Sequence, residues 1–156
     1  MNEADIMKEN WERSFDEQIR IGAYNTAPVE TIARHVSYYL REIRPAGDYA
    51  GLHFLEMGCG GGANLIWLAG RGIRVSGADI SPTALKLCRR NFGESGLVSM
   101  LADLVESSVD RLPFPDGAFE GIIEACVFQH LEKRLRPKAF AEVGRLLKPG
   151  GVFCGY

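Results

Sequence analysis

Apolar positions in this chain first recur at helical spacing and then switch to alternating strand and helix patterns. Residues 3–20 are charged, with Ile6, Trp11, Phe15 and Ile19 spaced for one face of a helix. Gly22-Ala23-Tyr24-Asn25 interrupts that pattern. Ala27-Pro28 opens a second helix, with Pro28 at a first position that tolerates it and an apolar face of Val29, Ile32, Ala33, Val36, Tyr39, Leu40 and Ile43. Pro45-Ala46-Gly47-Asp48 stops it. Beyond this point the pattern predicts a strand at 53–57, a helix at 63–71, a strand at 73–78 and a helix from Ser81-Pro82 to near Asn91. It continues with a strand at 97–101 and a polar segment at 104–118 that contains the turn Pro113-Phe114-Pro115-Asp116-Gly117. A strand at 119–124 follows, then a helix from Pro137 with Phe140, Val143, Leu146 and Leu147 on one face. Lys148-Pro149-Gly150-Gly151 stops that helix, and a fifth strand holds Val152-Phe153-Cys154. Alternating strands and helices predict a doubly wound parallel α/β sheet, because parallel strands need right-handed crossovers. The order expected is 3-2-1-4-5, in a single domain of residues 1–156: a helical cap at 1–47 on a core at 48–156.

Composition narrows the classes. With 156 residues, 46% of them hydrophobic and 24% charged, the chain can bury a real core and is not a disordered segment. Net charge is −2, and no Lys/Arg block stands out, so a nucleic-acid partner is not expected. Cys59, Cys88, Cys126 and Cys154 are scattered without metal-ligand spacing. They read as small apolar fillers in a reducing compartment, with no metal site. The first twenty residues are acidic and amphipathic, and no apolar run reaches about eighteen residues, so neither a leader nor a membrane span is predicted. A cytoplasmic location is the expectation.

The chemistry concentrates at Glu56-Met57-Gly58-Cys59-Gly60-Gly61-Gly62, between the first strand and the first core helix. Glycines permit positive φ and let a ligand approach main-chain N–H groups. Asp79 ends the second strand, where a carboxylate can accept hydrogen bonds from ribose hydroxyls. Both lie at the carboxyl ends of the strands, where open parallel sheets bind ligands. The pair predicts a nucleoside-cofactor site. Gly58-x-Gly60-x-x-Ala63 also satisfies the dinucleotide pattern, so the turn alone leaves the cofactor open.

Five segments in order resemble class I S-adenosylmethionine-dependent methyltransferases, which have a Rossmann-like fold. They are Glu56 with glycines 58, 60 and 62; Asp79-Ile80-Ser81; Asp103; Leu112 through Glu120; and Leu146-Leu147-Lys148-Pro149-Gly150-Gly151. The resemblance runs from about residue 50 to the C-terminus. It implies methyl transfer from S-adenosyl-L-methionine by in-line displacement, leaving S-adenosyl-L-homocysteine. It assigns Glu56 to the cofactor's ammonium, the main chain of Gly58, Cys59, Gly60 and Gly62 to its amino-acid end, and Asp79 to the ribose. Ile80 would face the adenine, Asp103 would accept from the adenine amino group, and the Leu104 main chain would pair with a ring nitrogen. The main chain at Glu124, Ala125 and Cys126 would line the methionine portion. His130 is the candidate catalytic base, and Tyr24 the candidate lid residue. Trp11 and Phe15 fit either a lid or a helix packed on the sheet, and His35 and His53 read as structural.

After the fourth strand the chain reads Ile122-Ile123-Glu124-Ala125-Cys126-Val127, without the Asp/Asn-Pro-Pro-aromatic signature of base-amine and glutamine methylating subfamilies. The acceptor expected is therefore a small molecule. The usual sixth and seventh strands of that family are missing from these 156 residues. An exposed fifth strand predicts homodimerisation through the C-terminal edge. Two other readings stay open: an NAD(P)-binding oxidoreductase fragment, and a non-catalytic cofactor-binding or dimerisation module.

Overall fold

The computed structural model describes residues 3–155. Two helices, α1 (Glu3–Ile21) and α2 (Glu30–Ile43), precede the sheet. Then follow β1 (His53–Met57), α3 (Ala63–Ala69), β2 (Arg74–Asp79), α4 (Pro82–Ser95), β3 (Leu101–Glu106), β4 (Phe119–Glu124), α5 (Arg136–Leu146) and β5 (Leu147–Gly155). The five strands are parallel, as the alternating pattern predicts, and lie in the expected order β3-β2-β1-β4-β5.

Alternation along the strands builds two cores. Phe54 and Ile123 meet Ile32, Val36 and Leu40 of α2, Leu65 and Leu68 of α3, and Leu85 and Phe92 of α4. Leu55, Met57 and Ile122 point the other way, against Ala139, Val143 and Leu146 of α5. The Leu112–Gly117 segment is stitched to α5 by Arg145. Its guanidinium donates to the carbonyls of Leu112 (3.0 Å) and Phe114 (2.7 Å) and to Asp116 (2.8 Å).

Two strands differ from expectation. The apolar run from Leu97 does not begin β3. Gly96 (φ +71°) ends α4 in a left-handed cap, and Val98–Met100 form a 3-10 turn whose neighbours Leu97 and Met100 pack on the core. The strand therefore starts at Leu101, inside what the sequence pattern reads partly as polar connection. Its register sets Ser76 opposite Asp103 and Asp79 opposite Glu106. β5 begins at Leu147 rather than Val152. Its pairing with β4 shifts between Phe119 and Gly121, so Lys148-Pro149-Gly150-Gly151 form an irregularity within the strand. Lys148 pairs there with Glu120, and Pro149 sits where a strand tolerates it.

Candidate cofactor site

The glycine turn is tied to the neighbouring strand. Gly58 N and Cys59 N both donate to the Ala78 carbonyl, at 2.7 and 3.0 Å. Gly58 has φ +75°, and a Cβ there would lie 2.3 Å from a Val127 methyl. Only glycine fits that position. Gly60 has φ +50°, and a Cβ there would stand 3.3 Å from the Phe15 ring. Its N–H donates to Asp79 Oδ2 at 2.9 Å, while Ser81 N donates to Asp79 Oδ1 at 2.9 Å. Ser81 Oγ in turn accepts from Ala84 N and caps α4. Asp79 is therefore a clamp between the turn and α4, not an exposed loop acid. It is 8% accessible, and burial raises its pKa against the lowering effect of the backbone N–H groups of Ser81, Gly60 and Ile80. Each oxygen keeps further accepting capacity.

Glu56 is 2% accessible. Oε1 accepts from Asn64 Nδ2 at 2.6 Å, while Oε2 is buried without a hydrogen-bond partner among the described residues. Burial pushes its pKa up to about 8. The Asn64 bond opposes that rise, and the Asp79 and Glu124 carboxylates add to it.

A cavity of about 550 Å³ opens at this edge of the sheet, within the roughly 300–1,000 Å³ usual for small-molecule sites. Glu56, Gly58, Cys59, Gly60, Asp79, Ile80, Ala125, Tyr24 and His130 all line it. Four anticipated residues do not. Asp103 lies level with Ser76 in the body of the sheet, where it accepts from that hydroxyl (3.4 Å), about 10 Å along the strand from Glu106. The Leu104 side chain packs in the core, so close to Gly77 that a Cβ there would be 2.8 Å from it. Gly62 (φ +81°) faces Cys88 of α4, whose Sγ would stand 2.5 Å from an added Cβ. Glu124 turns away from the cavity and accepts from Val127 N (3.0 Å) and Phe128 N (3.2 Å). Beyond β3 the cavity wall is instead Glu106, Ser107, Ser108 and Val109. Only the misplaced strand hid them, since they directly follow the apolar pair Leu104-Val105.

The roof is α1. Lys8, Trp11, Phe15 and Gln18 fall on one helical face and line the cavity. Lys8 pairs with Glu106. Glu12 accepts from Thr83 N (3.2 Å) and Oγ1 (2.6 Å) at the start of α4. The Trp11 ring meets His130 edge-on, with centroids 5.6 Å apart. Tyr24 accepts from Arg90 Nη2 at 2.9 Å. All three aromatic candidates thus border the cavity. His35 bonds the Thr31 carbonyl, and His53 bonds Ser76 Oγ, both away from it. At the far rim, beside Leu131 and Leu135, the stretch Lys133-Arg134-Leu135-Arg136-Pro137-Lys138 forms a short basic cluster that the overall charge balance conceals.

Cys126, at the end of β4, holds φ +61°, the one non-glycine with positive φ among the described residues. No helix of the described residues is long and apolar enough to cross a membrane.

Comparison with known proteins shows one family. The family described as "Methyltransferase domain" matches residues 55–155. The chain is 33% identical over 108 residues to a fatty-acid O-methyltransferase of Mycolicibacterium smegmatis, covering 68% of this chain and 37% of that protein. It is 28% identical over 152 residues to the phthiotriol/phenolphthiotriol dimycocerosates methyltransferase of Mycobacterium leprae, covering 94% of this chain and 52% of that one. The chain thus spans about half or less of the length of these relatives. Among solved structures, a SAM-dependent methyltransferase from Aquifex aeolicus superposes with a TM-score of 0.57 at 21% identity, over 70% of this chain and 58% of that one, a likeness of fold.

Proposed function

This chain belongs to the class I S-adenosylmethionine-dependent methyltransferase family, and from that premise we propose that its cavity holds S-adenosyl-L-methionine for methyl transfer to a small, largely apolar acceptor. The observation that carries this reading is Glu56 Oε2, a buried carboxylate oxygen without a partner, lining a cavity floored by glycines of positive φ. An ammonium group is the partner such an oxygen lacks, and the amino-acid end of the cofactor provides one.

When bound, the cofactor supplies an electrophilic methyl group on a sulfonium sulfur. The chain's own residues hold it and exclude water. Glu56 takes the ammonium, and the main chain of Gly58, Cys59 and Gly60 receives the amino-acid end. Asp79 uses its remaining lone pairs for the ribose hydroxyls. Ile80 offers the adenine an apolar face, and Ser107, Ser108 and Val109 replace Asp103 and Leu104 along its edge. Ala125 and Cys126 flank the methionine portion. Trp11, Phe15 and Tyr24 close the top. His130 stands where an acceptor hydroxyl could pass its proton, with Trp11 fixing one edge of its ring.

Met7, Trp11, Val127, Leu131 and Leu135 give the cavity that His130 lines an apolar wall. That wall, and relatives named for a fatty acid and for phthiotriol dimycocerosates, support an apolar acceptor. Thermal melting tests the cofactor. A ligand at a hundredfold its dissociation constant adds about 2.7 kcal/mol, or roughly 5–10 °C for a chain of this size. S-adenosyl-L-homocysteine should raise the melting temperature and NAD should not; a rise with NAD alone would overturn the proposal.

A further inference from the structure

Asn64 makes two hydrogen bonds in opposite directions, one buried and one part-buried. Its Nδ2 donates to Glu56 Oε1 at 2.6 Å, and its Oδ1 accepts from the main-chain N–H of Val29 at 2.8 Å. The amide can lie only one way round, since the Val29 N–H only donates and so must meet the amide oxygen, which turns Nδ2 toward Glu56. Asn64 is 5% accessible and lines the cavity, as does Val29. Asparagine is a poor interior helix residue, yet here it sits second in α3, a helix of seven residues. Neither bond is local. Val29 is thirty-five positions away, just before α2, at the end of the connection from α1 that carries Tyr24 and Asn25 along the cavity.

We propose that Asn64 is a positioning residue that holds Glu56 by Oε1, leaves Oε2 for the cofactor's ammonium, and links that oxygen to the seating of the N-terminal helices through Val29. The inference rests on the cofactor reading above. Without Asn64 the Glu56 carboxyl would keep only the hold of the Leu65 main-chain N–H, and its terminal torsion is broad and sets no orientation by itself. A cation drawn to Oε2 orders Glu56, hence the Asn64 amide, hence the N–H at the start of α2. The coupling is reciprocal: an unseated α2 entrance releases Asn64 and loosens Glu56. Other groups share this surrounding: Asp79 from β2, Glu124 from β4, Cys59 from the turn, and Asp5 and Lys8 from α1.

Asn64→Asp separates the two bonds. The introduced carboxyl still accepts from Val29 N but, once ionised, cannot donate to Glu56. Binding of S-adenosyl-L-homocysteine to the full chain is measured by calorimetry from pH 6 to pH 9, for wild type and variant. At pH 9 two carboxylates face each other and the variant should bind about tenfold or more weaker than wild type. At pH 6 a retained proton restores a donor toward Oε1, and the deficit should shrink to about threefold or less. Hydrogen exchange of the Val29 amide without ligand supplies a second readout: slow in wild type and Asn64→Asp, fast in Asn64→Leu. An affinity ratio that stays constant across this pH range marks a merely structural role and overturns the proposal. So does a Val29 amide that exchanges equally in all three proteins. Wild type that fails to bind S-adenosyl-L-homocysteine removes the cofactor reading and this inference together, whereas wild type that binds beside an unaffected Asn64→Asp variant removes the role of Asn64 alone.

Discussion

Glu56→Gln should make the unliganded protein more stable, by an amount that grows with pH. The wild-type carboxyl moves from its ordinary 4.5 to about 8, because ionising it at a buried site is unfavourable. A displacement of that size corresponds to about 5 kcal/mol. The folded state binds more protons than the unfolded state between the two values, so wild-type stability falls as pH rises from 4.5 to about 8 and levels off above. Glutamine has the same shape, keeps an oxygen for Asn64 Nδ2, and never ionises. It places an amide where Oε2 lacked a partner, which costs about 1–3 kcal/mol. The net gain is about 2–4 kcal/mol at pH 8, or roughly 5–15 °C in melting temperature. Near pH 4.5 the gain vanishes and the amide penalty alone remains. Melting curves of both proteins without ligand, from pH 4.5 to 9, check this. A difference that is constant across pH, or a variant less stable at pH 8, would refute the assignment of Glu56 as a carboxyl held against its burial. The same substitution should weaken S-adenosyl-L-homocysteine binding, since the ammonium loses its counter-charge.

Asp79→Ala removes acceptors for Gly60 N and Ser81 N as well as for the proposed ribose. It should lower cofactor affinity by about 10- to 100-fold and also cost about 1–3 kcal/mol of stability; an unchanged melting temperature in denaturation scans would contradict the clamp. Gly60→Val forces a β-branched residue to φ +50° against Phe15. The protein should fold with weaker packing of α1 and no measurable S-adenosyl-L-homocysteine binding by calorimetry, and retained affinity would place the ligand elsewhere. β5 pairs on one side with β4 and forms the other end of the sheet among the described residues, with the Phe153 ring stacked on Phe128 and edge-on to Phe140. We propose that the 156-residue chain forms a symmetric dimer through this edge, and light scattering that gives a monomer at high micromolar concentration removes the proposal.

Local chemistry made much of this molecule legible. The β1–turn–α3 unit could be read because glycine spacing, an apolar strand and helical periodicity all sit within twenty residues. Parallel strands followed from the alternation of elements, and their order from the family resemblance. Position along β3 was harder: Leu97 through Leu101 looks like a strand, but Leu97 and Met100 pack on the core from around a 3-10 turn while Val98 is exposed. That shift of about four residues moved Asp103 away from the ligand edge and hid Ser107 through Val109. The amphipathic α1 could be recognised as a helix, but period alone does not say which surface it covers. Its partners Glu106, Thr83 and His130 lie seventy or more positions away and are set by the finished sheet. The Asn64 bridge was invisible for the same reason, since nothing near residue 64 names Val29.

The roof has a consequence for timing. α1 lines one side of the cavity at the strand ends, so on the proposed cofactor reading its seating bears on how a ligand enters and leaves. What latches the helix on the β3 side is Lys8 with Glu106, whose side chains are 45% and 48% accessible to solvent. Exposed pairs of this kind contribute about 0–1 kcal/mol and weaken as ions screen them. We propose that dissolved salt loosens this latch and shortens residence in the cavity, while the buried carboxyls of Asp79 and Glu56 are screened much less. On that proposal ionic strength acts on the pace of ligand exchange more than on occupancy at equilibrium.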